Sequence, residues 1–485
     1  MDAWNGRHVL VLGAARQGIA LARWLSRHGA AVILSDAKNE DALVDARATL
    51  ADLPIRWALG GHPLSLLDDA DTVCLSGGVP ADLPIVREAL QRGLTLTNDT
   101  QVFLELAPCK TIGITGSAGK TTTTAMLGEM ATLAMQDAQD RAGERNVARP
   151  TAYVGGNIGD PLLNHLDRMS AADLAILEIS SFQLEQMTVS PNVAAVLNIT
   201  PNHLDRHGTM AAYTAAKARL VEFQKAGDSA VLGHDDPGSW GLRDRVKGKL
   251  YSFGLSKPPG DIEGTYYEDG ILYLVDRGVP IPLLRREQVG LRGTHNLLNA
   301  LAAFAIGHTA GLPLDAMLSA ATGFQGVPHR LQLVRVVKGA SWYDDSIATA
   351  PERVMAAVRS FEEPLVLLLG GRDKRLPWVD LARLICQRVD HVVLFGEAAG
   401  LIENEVRRAM EMSRVALQES AETEAGPTRP YSIDREQRLQ QAVARASEVA
   451  EPGDVVLLAP GGTSFDEFKD FEERGDRFAS WVQAL

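Results

Sequence analysis

TIGITGSAGKTTTT, residues 111–124, sets a run of apolar and β-branched residues against a glycine loop, a lysine and four threonines. Thr111–Thr115 predicts a strand buried on both faces, and a helix is expected to open at Lys120. Between them lies Gly116-Ser117-Ala118-Gly119-Lys120-Thr121. Glycines there let backbone N–H groups turn inward onto phosphate oxygens, and the positive end of the helix adds to the pull. The Lys120 ammonium can reach the β- and γ-phosphates of a nucleoside triphosphate, and a hydroxyl of Thr121 or Thr122 can ligate Mg²⁺. The full-length pattern has a glycine six residues before the lysine, where this chain has Ile114, so the loop is a shortened G-x-x-G-K-T form. That short pattern arises by chance in roughly 2% of chains this long. Its position between strand and helix therefore carries the argument against a plain glycine-rich turn.

Outward from this loop, short β-branched runs alternate with longer helix-patterned stretches, the mark of parallel sheets with crossover helices and hence an α/β fold. At about 150 residues per domain, 485 residues predict three. The first, residues 1–108, opens with strand His8–Leu12, a turn at 13–18, a helix Ile19–Arg27 and a strand Ala31–Leu34 ending at Asp36, with a later strand and glycine turn over 72–80. The second, 109–327, adds strands Leu174–Glu178 and Val193–Asn198. The third, 328–485, has strands near Ser341–Asp345, Leu365–Leu369, His391–Phe395 and Val455–Leu458, and a last helix over Asp466–Gln483. Residues 136–150 and 418–437 are highly charged and nearly free of large apolar side chains, and are expected to be solvated excursions.

Composition excludes several functions. Hydrophobic residues make up 46% and charged residues 22%, ordinary for a globular α/β chain. The net charge of −13 argues against a nucleic-acid partner, which needs a basic face. Three cysteines, Cys74, Cys109 and Cys386, form neither a disulfide framework nor a metal-ligand pattern. No signal peptide is legible at the N-terminus, and no apolar run is long enough for a membrane span. A soluble, cytoplasmic enzyme is the expectation.

A second glycine turn, Gly13-Ala14-Ala15-Arg16-Gln17-Gly18, follows the first strand, with Asp36 at the end of the next. This is the layout of a dinucleotide fingerprint, but Ala15 replaces the middle glycine that admits a pyrophosphate. Such a turn is either structural or a nucleotide site. Beside a triphosphate loop it favours a nucleotide-linked substrate, with Arg16 toward phosphate and Asp36 toward ribose or base. Glu178 ends the strand LAILE, where a carboxylate suits Mg²⁺. His203, in NITPNHLDRH, can ligate a metal, orient substrate or cap a helix. Lys217, in AAYTAAKARL, reads on its own as a solvated helical charge.

The ordered set TGSAGKTTT, VGGNIG (154–159), LEISSFQLE (177–185), NITPNHLDRH, AAK (215–217), GTHNLLNALAA (293–303), PHRL (328–331), DDSIAT (344–349), LLLGGRDK (367–374) and PGGTSFDEFKDFEERGDRF (460–478) spans nearly the whole chain. In this it resembles the Mur ligases, and LEISSFQLE and TSFDEFKDFEERGDRF point to the glutamate-adding branch. The resemblance implies a Rossmann-like N-terminal domain, a central ATPase domain and a Rossmann-like C-terminal domain. It implies an ATP-dependent, ADP-forming amide-bond ligase of peptidoglycan synthesis, adding D-glutamate to UDP-N-acetylmuramoyl-L-alanine through an acyl phosphate, and a monomer. Lys120, Thr121 and Thr122 would hold the ATP phosphates and Mg²⁺, with Asn299, Arg330 and Asp345 near the nucleoside. Turn 13–18, Asp36 and Gly77 would hold the UDP part, and Asn157 and His203 the muramoyl-alanine part. Glu178, His203 and Thr121 would serve the metal, joined by Lys217 as a carbamate. Thr349, Lys374, Ser464, Phe465 and Phe471 would receive the amino acid.

Departures from the family pattern fall at Ala15, at Gly77 where a proline is common, at Ser117-Ala118, and at Ile347 and Ala350 in DDSIATA, where the common pattern is N-D-S-K-A-T-N. The lost lysine leaves open a ligase for L-glutamate or another amino acid. A sugar-nucleotide-sensing P-loop protein that makes no bond is the alternative from another class, and an NAD-dependent oxidoreductase rests on the first turn alone.

Overall fold

Three sheets, each flanked by helices, organise the chain. The structure is a computed structural model and describes residues 2–142, 149–419 and 429–485. The first sheet contains β1 (His8–Leu12), β2 (Ala31–Asp36), β3 (Arg56–Leu59), β4 (Thr72–Leu75) and β5 (Thr95–Asn98), all parallel in the order β3-β2-β1-β4-β5. The helix after β1 begins at Arg16, three residues before the expected Ile19, so that Gly18 lies inside it and packs on the sheet with Leu21 and Leu25. The strand and glycine turn expected over 72–80 divide at Leu75, where the strand ends and the chain turns back with Val79 N–H bonded to the Ser76 carbonyl.

The second sheet is built from β6 (Lys110–Thr115), β7 (Ala152–Gly156), β8 (Leu174–Glu178), β9 (Val193–Val196), β10 (Ser229–Gly233), β11 (Lys249–Phe253), β12 (Glu263–Glu268), β13 (Ile271–Asp276) and β14 (Val279–Arg285), ordered β14-β13-β12-β11-β10-β9-β6-β8-β7. Strand β6 sits between β8 and β9, where the strand order reverses, and its carboxyl end is thus a topological switch point at which such sheets bind ligands. At the far edge, β12, β13 and β14 form an antiparallel meander. One hydrophobic cluster runs from Trp4, Leu25 and Phe103 through Leu177, Val196 and Leu232, so the first two sheets share a core and lie in one compact unit, Met1–Phe324.

The third sheet occupies a second compact unit, Gln325–Leu485. Its strands are β15 (Gln332–Val337), β16 (Ala340–Asp344), β17 (Leu365–Gly370), β18 (His391–Phe395), β19 (Ser432–Arg435) and β20 (Val455–Gly461), ordered β15-β16-β20-β17-β18-β19, with only β15 antiparallel. Central β17 is buried along its whole length, as an all-apolar LVLLL run requires. The architecture is thus a three-domain α/β fold with mainly parallel sheets.

Three expectations are corrected. The helix that opens at Lys120 runs to Ala142, into the stretch expected to be an excursion; residues 143–148 of that stretch lie outside the described residues. Within 418–437, Ser432–Arg435 is a strand, because its backbone pairs with β18 and Ile433 packs on the core, while 420–428 lie outside the described residues. The last helix begins at Phe471, where the Asp470 carboxylate caps it by accepting from Glu473 N–H. Among the described residues no helix is long and apolar enough to cross a membrane.

Candidate active site

The phosphate loop leaves β6 and is held from the next strand. Ser117 N–H donates to the Asn198 carbonyl (3.0 Å), while the Asn198 side chain accepts from Ala118 N–H (2.8 Å) and donates to the Ala118 carbonyl (3.2 Å). Ser117 Oγ donates to the Thr200 carbonyl (2.9 Å) and lies 3.0 Å from the Tyr213 hydroxyl. An asparagine clamp and a serine thus hold the loop at the positions where Ser117-Ala118 departs from the family pattern. Gly119 has φ +84°, and a Cβ there would stand 2.2 Å from Asn299 Oδ1, so only glycine fits between loop and helix Thr294–Ala310. Lys120 Nζ donates back to the Gly116 carbonyl (2.8 Å), curled over the loop it is expected to serve. Thr121 and buried Thr122 follow in the first helical turn.

Glu178 and Lys217 approach the same strand ends. The register pairs Glu178 with Ile114, one residue before Thr115. Glu178 is only 2% exposed; Oε1 accepts from Asn157 Nδ2 (3.0 Å) and Oε2 is buried without a hydrogen-bond partner. Such an orphaned carboxylate oxygen is costly unless a cation completes it. Lys217, on helix Met210–Glu222, is 1% exposed. Its Nζ donates to Thr115 Oγ1 (3.2 Å) and the Gly116 carbonyl (3.0 Å) and lies 4.8 Å from the Tyr213 ring centre. Burial, assisted by the Lys120 charge, lowers its pKa to about 7. The reading of Lys217 as a solvated charge therefore fails: this side chain is inside.

His203 precedes the short helix Leu204–His207. It is exposed, in the left-handed region at φ 52°, with its ring 5.1 Å from that of Phe182. The histidine with a buried side chain on this segment is His207, bonded to Ser181 Oγ (2.9 Å) and 3.1 Å from Glu185 Oε1. Among the described residues, the group of three His, Asp or Glu whose ligand atoms converge is Glu263, Asp276 and His308, at the meander edge, where Lys249 already pairs with Glu263. Among the described residues, Glu178 and His203 belong to no such group.

The first glycine turn is fastened on all sides. Both oxygens of Asp36 are engaged, Oδ2 by Ala14 N–H (2.7 Å) and Oδ1 by Lys38 N–H (2.8 Å). Asp36 thus shapes the turn. Gly13 has φ +94°, and a Cβ on Gly18 would lie 1.8 Å from the Gly13 carbonyl oxygen, so close packing accounts for both glycines. Ala15 caps the helix through its backbone alone. Gln17 donates to the Gly156 carbonyl and Arg16 reaches the Asn157 carbonyl (3.5 Å), joining this turn to the end of β7 beside Glu178. Gly77 faces Gln183, 3.6 Å from where its own Cβ would be.

In the second unit, the expected nucleoside and amino-acid residues gather on the carboxyl ends of β16, β17 and β20. Asp344 Oδ2 lies 2.7 Å from His329 Nδ1; burial works against the imidazolium, but this carboxylate keeps its pKa above the ordinary value. Asp345 accepts from Leu331 N–H (3.1 Å), next to Arg330, and burial raises its pKa to about 7. Lys374 Nζ donates to Thr349 Oγ1 (2.9 Å), so two of the expected amino-acid residues touch. Ser464 is buried, Phe465 is 60% exposed, and the Phe471 carbonyl accepts from Ser346 Oγ (2.8 Å).

Residues 7–98 match the family description "Mur ligase MurD-like, N-terminal domain", 114–307 "Mur ligase middle domain" and 329–462 "Mur ligase, glutamate ligase domain". The UDP-N-acetylmuramoylalanine–D-glutamate ligase of Symbiobacterium thermophilum is 37% identical over 475 residues, 98% of this chain and 97% of that protein. The chain belongs to the Mur ligase family. The enzyme of the same name from Geobacter metallireducens is 36% identical over 484 residues, covering 99% and 98%. Solved structures share the fold at lower identity. The UDP-N-acetylmuramate–alanine ligase MurC of Thermotoga maritima has 19% identity and a TM-score of 0.52, covering 99% of both chains. The MurF ligase of Thermotoga maritima, in complex with ADP, has the same identity and TM-score and covers 100% of this chain and 99% of that one.

Two parts of this Mur ligase escaped the sequence reading. Asn198 lay inside a quoted motif, but a strand-end asparagine gives no sign that it clamps a loop. Arg474 is fully buried: Nε donates to Ser346 Oγ (2.9 Å), Nη2 to the Ser346 carbonyl (2.8 Å) and Nη1 to the Gly462 carbonyl (3.2 Å), and burial lowers its pKa to about 10. In FEERGDRF it reads as one helical charge among many. The available signal was Gly475, where a Cβ would meet His329 Nδ1 at 2.0 Å.

Proposed function

We propose that this ligase joins D-glutamate to UDP-N-acetylmuramoyl-L-alanine at the expense of ATP, a step of peptidoglycan synthesis that serves cell-wall formation and division. Full-length similarity to relatives of that name carries the reading. In the first unit, the loop 116–119, Lys120 and Thr122 hold the ATP phosphates, with Asn299 beside the loop. The turn 13–18, Asp36 and Gly77 hold the uridine diphosphate part, and Asn157 and His203 the muramoyl-alanine part. In the second unit, Arg330 and Asp345 take the nucleoside, and Thr349, Lys374, Ser464, Phe465 and Phe471 the amino acid. The ATP requirement supports a cytoplasmic location, and a monomer is the working form.

The substrate carboxylate attacks the γ-phosphorus, giving an acyl phosphate and ADP. Lys120 neutralises the charge that develops, which is most of what phosphoryl transfer demands. The orphaned Glu178 oxygen fits Mg²⁺, and Thr121, His203 and a carbamylated Lys217 would hold it beside Glu178. Mg²⁺ supplies charge neutralisation at the phosphates. Lys217 suits carbamylation because CO₂ adds to a neutral amine, and burial keeps this one largely neutral above about pH 7. The glutamate amine then attacks the acyl carbon, and inorganic phosphate leaves from the tetrahedral intermediate.

The test is phosphate release with ATP, Mg²⁺ and UDP-N-acetylmuramoyl-L-alanine, offering D-glutamate, L-glutamate or other amino acids, with mass detection of product. A product heavier by one glutamate residue and formed only with the D-isomer is expected. Product with another amino acid would move the specificity, and none with any would overturn the reading.

A further inference from the structure

Three side-chain cations gather around the loop Asp345–Thr349. Arg474 is committed to that loop, with all three nitrogens donating to Ser346 and Gly462. The other two are held more loosely, although the Arg353 charge reaches buried Asp345. Lys374 Nζ bonds only to Thr349 Oγ1, and Arg353, in the first turn of helix Pro351–Val358, donates Nη1 to the Ile347 carbonyl (3.1 Å). Among the described residues neither makes an ion pair. The neighbouring acids are engaged elsewhere: Asp344 by His329 and Ser346 N–H, Asp345 by Leu331 N–H, and Asp373 by Arg375 N–H and Trp378 Nε1. Exposed Lys374 has its pKa lowered first by partial desolvation, then by the charges of Arg353 and Arg474. Arg353 is therefore near enough to repel Lys374, and two like charges beside one loop without an ion pair are unfavourable until an anion arrives.

We propose that Arg353 binds the incoming amino acid, forming with Lys374 a two-cation clamp that takes the two carboxylates of a dicarboxylic amino acid, one at each cation. This rests on the functional reading above and adds a residue to it. The bond from Nη1 to Ile347 fixes the plane of the guanidinium and leaves Nε and Nη2 for a carboxylate, a planar fork that a lysine cannot reproduce. Ile347 brings no charge of its own, so Arg353 is the cation that reaches this loop from the following helix. The clamp reads charge as well as shape: an amide in place of the side-chain carboxylate forfeits one charge-assisted contact.

Steady-state kinetics of the full chain test this, with D-glutamate and D-glutamine compared in wild type, Arg353→Ala, Arg353→Lys and the double variant Arg353→Ala/Ile347→Lys. Arg353 is exposed, and matching thermal unfolding would show that Arg353→Ala folds as wild type does. The expected result for Arg353→Ala is a KM for D-glutamate raised about tenfold or more. The kcat and the KM values for ATP and the UDP-linked substrate stay put, and the preference for glutamate over glutamine falls by a similar factor. Arg353→Lys and the double variant recover part of the loss by restoring a cation. An unchanged KM for D-glutamate, or a fall in kcat shared by all substrates, overturns the clamp. Wild-type ligation of a monocarboxylic amino acid in place of glutamate overturns the clamp and moves the specificity of the functional reading.

Discussion

Lys217 shows how position alone changes what a residue can do. In AAYTAAKARL it is one more helical lysine, yet the fold puts it at 1% exposure against Thr115 and the phosphate-loop carbonyl of Gly116. Its pKa falls from 10.5 to about 7 because burial penalises the ammonium. Between those two values the unfolded chain holds a proton that the folded chain has lost, so stability rises with pH from about 7 toward 10.5. In CO₂-free buffer the melting temperature of the wild type should climb across that window, and Lys217→Met should flatten the slope. Activity follows the same group. Lys217→Ala should lose at least a hundredfold in kcat, in line with removal of a group that supports a metal site. Acetate or formate should restore part of it, and added bicarbonate should raise wild-type activity most below pH 7. Full activity in Lys217→Ala would sink the carbamate assignment.

Strand, loop and helix at 110–142 form the most legible element, and the reason is physical. A strand covered on both faces must be apolar at every position, and a loop that turns its N–H groups inward needs glycine. Glu178 was legible for the same reason, as the single acid ending a buried strand. The meander β12–β14 was missed because its strands lack a clean alternation, although Asp269-Gly270 and Arg277-Gly278 mark its two turns with positive φ at all four positions. Asn198 and Arg474 were illegible because their roles are tertiary: each bonds to backbone that is remote in sequence. Gly119 tests the loop as a unit. Gly119→Ala would force an L-residue to φ +84° and drive its Cβ against Asn299, costing about 1–3 kcal/mol of strain. We expect ATP binding measured by calorimetry to be lost while the second unit is untouched. ATP affinity equal to wild type would mean that the loop reshapes freely and that neither the Asn198 clamp nor the closeness of Asn299 positions it.

At the scale of the whole chain, three sheets condense into two compact units because the first two share one hydrophobic cluster while the third has clusters of its own. Each unit also has its own polar fastening: the Asn198 clamp at the phosphate loop in the first, and Arg474 among Ser346 and Gly462 in the second. Calorimetry should therefore resolve two transitions. A non-hydrolysable ATP analogue with Mg²⁺, at about 100 times its Kd, adds about 2.7 kcal/mol to whatever binds it. By the functional reading this acts first on the larger unit, whose transition should rise by a few degrees. Arg474→Ala leaves buried carbonyls and a buried hydroxyl without their donor, a loss of about 3–5 kcal/mol for a broken buried charge network. In the smaller unit that corresponds to a fall of roughly ten degrees in one transition only. Because buried Arg474 fixes the loop that carries Asp345 and Thr349, the same variant should also weaken amino-acid binding, so stability and KM for D-glutamate should move together. A single transition shifted equally by ligand and by Arg474→Ala would show that the chain unfolds as one body and that the separate cores do not act separately.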